Sequence, residues 1–397
     1  MFKKISITFA SKVINAFLGL LNTILITQYL GTNGKGITAL FTTSLGLCLL
    51  LCQIIGGNSF VFLSSRIQTS TLLFPSYIWA GLVATTTAFI LSIIGLCPSE
   101  YWIELAIVSA LFGMFHTHLY ILLGNEKTII FNVLTPLPQL FQLFAALFVF
   151  QFLGNSNVGV YITYLYVVFG AAFLVSLAAL LPMIQKFVLP DKRIFKSIWQ
   201  YGSKAQLSNI LFFLNSRFLF YLLGYFFLKA DVGIYSVGVA IIESVLLISN
   251  SSSLMLYAKI SNTKSRVKRL VMVKEYLKIS VGITTIALLV IVALPVRFYV
   301  EVFGIGFEQS HLVSLCLVPG AFFMSMYYVT SSYFSGIGKY QYNTLTVLLG
   351  LSVTLIGGFV YIPTGSVATA AIITSMAFTT IGLINLTLFI KEFRRKK

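Results

Sequence analysis

The chain has 397 residues, of which 9% are charged and 58% hydrophobic, against roughly 25% and 45–50% in soluble globular proteins. With 27 basic and 10 acidic residues it cannot clothe a water-facing surface, so lipid is the expected solvent for most of it. The net charge of +17 does not signal nucleic acid, because the basic residues sit in short clusters between apolar runs, the pattern that orients membrane proteins.

The first apolar run follows Met1-Phe2-Lys3-Lys4 and continues to Leu30 without an A-x-A cleavage site, so it reads as a retained helix and not as a signal peptide. A helix needs about 20 apolar residues to cross the hydrocarbon core. Taking Gly, Pro and charge clusters as boundaries, such stretches occur near 5–29, 37–63, 73–97, 102–123, 129–153 and 157–184. A second set lies near 200–228, 233–258, 279–300, 309–335, 342–362 and 366–390. Twelve spans place both termini on one side. On that side fall 21 of the 27 basic residues, against three (Lys35, Lys229 and Arg297) on the other. The bias predicts cytoplasmic N and C termini. Pro136 and Pro138 interrupt the fifth span and Pro319 the tenth, which fits either a break bordering a site or hinge or the general abundance of proline in membrane helices.

The two halves echo one another. LGTNGKGITAL (30–40) and FLKADVGIYSV (227–237) align Gly36-Ile37 with Gly233-Ile234, both at a turn opening the second helix of a six-helix set. A weaker echo joins LGNEKTIIFN (123–132) to SGIGKYQYN (335–343). The expected organisation is therefore a bundle over 1–184, an inter-bundle cytoplasmic loop over 185–197, and a second bundle over 198–397. Six is even, so the halves share one orientation, as in transporters that work by alternating access.

No catalytic constellation is present: no paired carboxylates, nucleophile elbow, phosphate loop or metal-ligand spacing. Neither enzymatic chemistry nor a cofactor is expected. Cys48, Cys52, Cys97 and Cys316 form no CxxC pair. His116 and His118 stand at i,i+2 and so point to different faces of one helix; a lone histidine hydrogen-bonded to a neighbour is the expectation. Seven basic residues between Lys259 and Lys278 accompany Val267, Leu270, Val271 and Leu277 on one face. This segment reads as an amphipathic helix resting on anionic lipid.

Three segments carry a family resemblance. TQYLGTNGKGITALFTTSL (27–45) resembles the turn after the first helix of the MOP superfamily, in particular its polysaccharide-unit (Wzx-type) flippase branch. SRFLFYLLGYFFLKADVGIYSVGVAIIE (216–243) resembles that branch's seventh and eighth helices, and RFYVEVFGIGFEQS (297–310) its outer loop after the ninth. The resemblance implies an all-α integral membrane protein of about twelve helices in two six-helix bundles around a central cavity, the MATE-like fold. It further implies a bacterial cytoplasmic-membrane flippase carrying an undecaprenyl-diphosphate-linked glycan from the inner to the outer leaflet. O-antigen, capsule or exopolysaccharide assembly would follow, with a polymerase and a chain-length regulator as partners besides the membrane lipids. The family often carries an acid where this chain has Ser216, which weakens any carry-over of a cation-binding role there.

An anionic headgroup crossing about 30 Å of hydrocarbon calls for a water-filled basic groove. Charges inside spans are the candidates, since each facing lipid costs roughly 2.5–3.5 kcal/mol on insertion scales. Arg217 lies 11 residues before Leu228, roughly 16 Å deep, and a guanidinium holds phosphate bidentately. Glu243 lies at similar depth on the next, antiparallel span, so Arg217 either contacts substrate, pairs with Glu243, or does both in turn. Lys12 and Lys204 occupy corresponding places in the two halves; each either flanks the groove or snorkels to the headgroups. Two other functions stay open: a drug or cation exporter of the same superfamily, expected to carry more acid than base, and a membrane polymerase or glycosyltransferase. The latter needs a large outer loop, and the longest outer connection here has about ten residues.

Overall fold

The protein is described by a computed structural model covering residues 2–64, 66–184 and 192–394, and its regular elements are helices. Hydrocarbon offers a backbone N–H or C=O no partner, so a spanning chain must satisfy these groups within itself. Eleven helices among the described residues are long and apolar enough to cross a membrane. The first of these, 54 residues long, is two helical arms joined at a kink at Gly31, each long enough to span about 30 Å. Large side chains such as Val167, Ile286 and Ile356 are about two-thirds exposed (66%, 65% and 66%), an outward face suited to acyl chains.

Contacts divide the chain into two units: Met1–Leu30 with Ile37–Ile210, and Gly31–Gly36 with Leu211–Lys397. The first unit contains most of α1 (Phe2–Cys52), then α2 (Asn58–Leu63), α3 (Thr69–Ile93), α4 (Trp102–Gly124), α5 (Thr128–Leu134), α6 (Leu137–Leu147), α7 (Val158–Leu180) and the start of α8 (Lys192–Phe226). One core joins Ile26, Phe41, Leu45 and Cys48 of α1 to Leu105, Val108, Tyr161 and Leu165. A second gathers Phe60, Leu72, Phe115, Leu122 and Ile198. Of the 185–197 loop expected between the bundles, 185–191 lie outside the described residues and 192–197 form the first turns of α8. The division between units falls inside α8.

The second unit holds the rest of α8, then α9 (Lys229–Ser261), α10 (Arg266–Ala293), α11 (Val296–Phe303), α12 (Glu308–Gly336), α13 (Tyr340–Tyr361) and α14 (Val367–Arg394). Helix α12 packs against α9, α10 and α14. Asp231 starts α9 by accepting the Leu228 amide at 3.2 Å, and Ser265 starts α10 by accepting that of Lys268 at 3.4 Å, both ordinary N-terminal caps.

Three expectations are refined. The fifth span is interrupted at Thr135 and Pro136, between α5 and α6, where its prolines lie, but α12 runs unbroken through Pro319. The segment 266–278 is not a separate amphipathic helix. It is the first part of α10, where Leu270 and Val273 are buried against Val329, Tyr333 and Phe389 while Val267 and Val271 remain exposed. Packing selects a neighbouring stripe from the same periodicity. Lys35, placed in an outer turn by the charge count, is only 8% exposed.

The two glycines that echo in sequence lie against each other. Gly31 takes φ +63, turning α1 at a residue with no Cβ penalty, and Gly31–Gly36 then packs on the start of α9. A Cβ on Gly36 would sit 1.6 Å from the Lys229 carbonyl oxygen, and one on Gly233 would sit 2.1 Å from that of Thr32. Neither obstacle is a side chain that can swing away. Gly36→Ala and Gly233→Ala should therefore each cost at least the ~1–3 kcal/mol of overpacking, whereas Gly170→Ala, with nothing within 4 Å, should be neutral. Thermal unfolding of purified variants followed by size-exclusion chromatography checks this; equal melting temperatures for Gly36→Ala and wild type would refute the close crossing.

Candidate functional site

The second unit contains an ion pair within its spans. Helix α8 ends at Phe226 and α9 begins at Lys229, so the two are consecutive and their mid-helix residues meet. Arg217 of α8 donates from Nη2 to Glu243 Oε2 of α9 at 2.7 Å. The side chains are 27% and 37% exposed. The pair is therefore half-buried, with a face left open.

Aromatic and hydroxyl groups hold it in place. The Arg217 guanidinium lies 5.3 Å from the Phe220 ring centre, a cation–π distance. Phe220 meets Tyr235 edge-on at 4.9 Å, and the Tyr235 hydroxyl shares a 2.7 Å hydrogen bond with Thr374 of α14. Two residues before Arg217, Asn215 accepts from Thr354 of α13 at 2.8 Å. Tyr328 of α12 lies within electrostatic reach of both Arg217 and Glu243. Lys35 stands in the same relation to Arg217. The Arg217–Glu243 pair thus lies where a second basic side chain, Lys35, is within electrostatic reach. Two unit charges about 4 Å apart interact by roughly 4 kcal/mol at an effective dielectric of 20, less where the pair is part-exposed, as here.

Of the sequence candidates, then, Arg217 and Glu243 meet. Lys12 belongs to the first unit, half-buried on α1 beside Ser11, whose hydroxyl donates to the Asn132 carbonyl at 2.7 Å. Lys204 also belongs to the first unit, on α8, and its side chain lies outside the described residues. Sequence reading missed Lys35, Tyr235 and Tyr328. For Lys35 there was a signal: it is one of three basic residues on the charge-poor side, beside glycines that permit close packing. The tyrosines carried none, being 2 among 20.

His118 is buried in the first unit, hydrogen-bonded to Tyr77 and, through Nδ1, to Ser176 at 2.7 Å. Because the Ser176 hydroxyl already donates to the Phe173 carbonyl, Nδ1 carries the imidazole proton and Nε2 accepts from Tyr77. Both nitrogens are satisfied in the neutral ring, a packing role. Among the described residues no group of three or more His, Cys, Asp or Glu side chains is placed to hold a metal ion.

No protein-family model matches the chain, and no characterised protein sequence does. Solved structures do. The chain is similar to a multidrug resistance MATE family transporter of the MOP superfamily in an inward-facing conformation, with TM-score 0.75 and 15% identity over 96% of this chain and 95% of that one. It is similar to the lipid II flippase MurJ in an inward closed conformation, with TM-score 0.77 and 14% identity over 98% and 88%. A MOP superfamily transporter from Pyrococcus furiosus gives TM-score 0.66 and 14% identity over 98% and 95%. The expected MATE-like fold is therefore the fold of this chain.

Removing one member of the pair strands the other. Arg217→Ala and Glu243→Ala should each destabilise the protein by more than an exposed pair's ~1 kcal/mol but less than the ~3–5 kcal/mol of a fully buried one. The double variant should be milder than the sum of the two. Thermal unfolding of all three in detergent measures the coupling, and strict additivity would mean that the two side chains do not interact.

Proposed function

We propose that this protein is a flippase that carries an undecaprenyl-diphosphate-linked oligosaccharide from the inner to the outer leaflet of the bacterial cytoplasmic membrane. Both termini are cytoplasmic in this reading, and the product feeds O-antigen, capsule or exopolysaccharide assembly. The observation that carries it is the half-open Arg217–Glu243 pair within the spans, with Lys35 beside it. A charged pair with a third of its surface facing lipid would be costly, so the open face borders water. A second base within electrostatic reach suits a diphosphate better than a drug cation. The guanidinium exchanges one carboxylate for a phosphate with similar bidentate geometry. In the first unit, Lys12 is proposed to supply further positive charge for the substrate.

The fold supports transport, being shared with a MATE family transporter and with a flippase for lipid II. A related fold from Pyrococcus furiosus, described as having a binding pocket of reverse polarity, is consistent with one scaffold serving substrates of opposite charge. Driving force comes from an ion gradient, the membrane potential or consumption of the product, since no phosphate loop is present in the sequence.

The test uses cells lacking the gene, complemented with wild type, Arg217→Ala or Arg217→Lys at matched expression. Surface polysaccharide is quantified, and the leaflet holding the lipid-linked unit is determined. Loss of polymer with the unit trapped in the inner leaflet is expected without the gene and with Arg217→Ala. Arg217→Lys should restore part of the flux, because a lysine keeps the charge but loses the fork. Units that reach the outer leaflet unpolymerised would indicate a polymerase instead. Normal polysaccharide in the deletion would leave the exporter reading.

A further inference from the structure

The first unit has an apolar groove that the transport site does not use. It holds about 390 Å³, within the ~300–1,000 Å³ of ordinary ligand sites. One wall is α3, through Phe74, Ile78 and Leu82, which are 42%, 48% and 60% exposed. The other is the start of α8, through Phe195. Pro75 and Trp79 lie in the floor, and the Trp79 indole donates to the Leu51 carbonyl at 3.0 Å. The indole N–H is thus satisfied within the protein. From Phe74 to Leu82 the groove runs about 12 Å along the helix, less than the ~15 Å half-thickness of the hydrocarbon core.

Its rim has a different chemistry. Trp199 of α8 packs edge-on against Trp79 at 5.3 Å, and Tyr201 meets Phe62 at 5.3 Å. The Arg66 guanidinium lies 4.0 Å from that same Phe62 ring. Lys196, next to Phe195, is exposed, as is Arg66. An exposed aromatic and basic margin beside an apolar trough matches the cross-section of a lipid at the membrane interface.

We infer that this groove between α3 and α8 is a specific site for an anionic glycerophospholipid, one acyl chain lying along Phe74, Ile78 and Leu82 and the phosphate held by Lys196, which adjoins the lining residue Phe195. Charge complementarity selects the headgroup, and an open trough walled on two sides by α3 and α8 distinguishes one lipid from the freely exchanging annulus.

The experiment uses the full-length chain purified in detergent, with phosphatidylglycerol and phosphatidylcholine of matched acyl chains as probes and native mass spectrometry as readout. Wild type should retain one phosphatidylglycerol per chain, about tenfold more tightly than phosphatidylcholine. Ile78→Trp and Leu82→Trp, both at exposed positions where a larger ring need not disturb the core, should lose retention of either lipid. Lys196→Glu should abolish the preference while keeping weak retention. Equal retention of the two lipids by wild type overturns the inference, as does retention of neither. So does undiminished phosphatidylglycerol binding by the groove-filled variants. Displacement of phosphatidylglycerol by a lower concentration of polyprenyl phosphate would overturn it in favour of an isoprenoid occupant.

Discussion

Hydrocarbon supplies no hydrogen bonds, and most of this structure is a response to that fact. Backbone groups are satisfied along helices, and several polar side chains within the spans find partners on neighbouring ones. Asn22 of α1 donates to Gln139 of α6. Ser249 of α9 joins Ser280 and Thr284 of α10 in a chain of hydroxyls at 2.8 Å spacing. Asn385 of α14 donates to Asn343 of α13, which donates in turn to the Ser331 carbonyl of α12. Such bonds contribute only about 0.6–2 kcal/mol each in membranes. Their value lies in register, because a helix that slid by one residue would leave each partner unsatisfied.

Where polar bonds set register, glycine sets approach. The crossing at Gly36 and Gly233 brings main chain against main chain, which lets the turn after the first span pack on the start of α9. Small residues allow such approaches in a medium where apolar burial alone does not drive helices together. The same approach buries the neighbouring Lys35 and brings it within reach of Arg217. A backbone constraint thus becomes an electrostatic one, and it connects the packing of the turn to the composition of the site.

Magnitudes separate the ion pairs. Arg297 and Glu301 make an equally short 2.7 Å contact, but with 86% and 62% of their side chains exposed, and an i,i+4 pair of that kind contributes only ~0.3–0.5 kcal/mol. Arg266 and Lys339 share Glu392, tying the end of α14 to two other helices. Arg217 and Glu243 differ because they lie within spans and are only 27% and 37% exposed, so losing the partner costs each of them more than it costs the exposed pair. An anion that offers the guanidinium equivalent oxygens relieves that dependence, which makes a structural pair into a plausible exchange site.

Hydropathy and charge placement are local properties, so the sequence alone determined the solvent, the helical class, about twelve crossings and a boundary between the first two of them near 29–37. It also singled out Arg217 and Glu243, since charges within spans are rare, but left open whether they meet. Tertiary structure decided that, along with everything that depends on which stripe of a helix turns inward. Leu270 and Val273 are buried while Val267 and Val271 are not, although all four share one apolar periodicity. Lys35 counted as a loop residue until a glycine crossing buried it. The groove beside Phe195 joins residues more than 100 positions apart. Side-chain periodicity specifies that a helix has an apolar face; only the shape of its neighbours, and the need to satisfy each buried polar group, selects what that face meets.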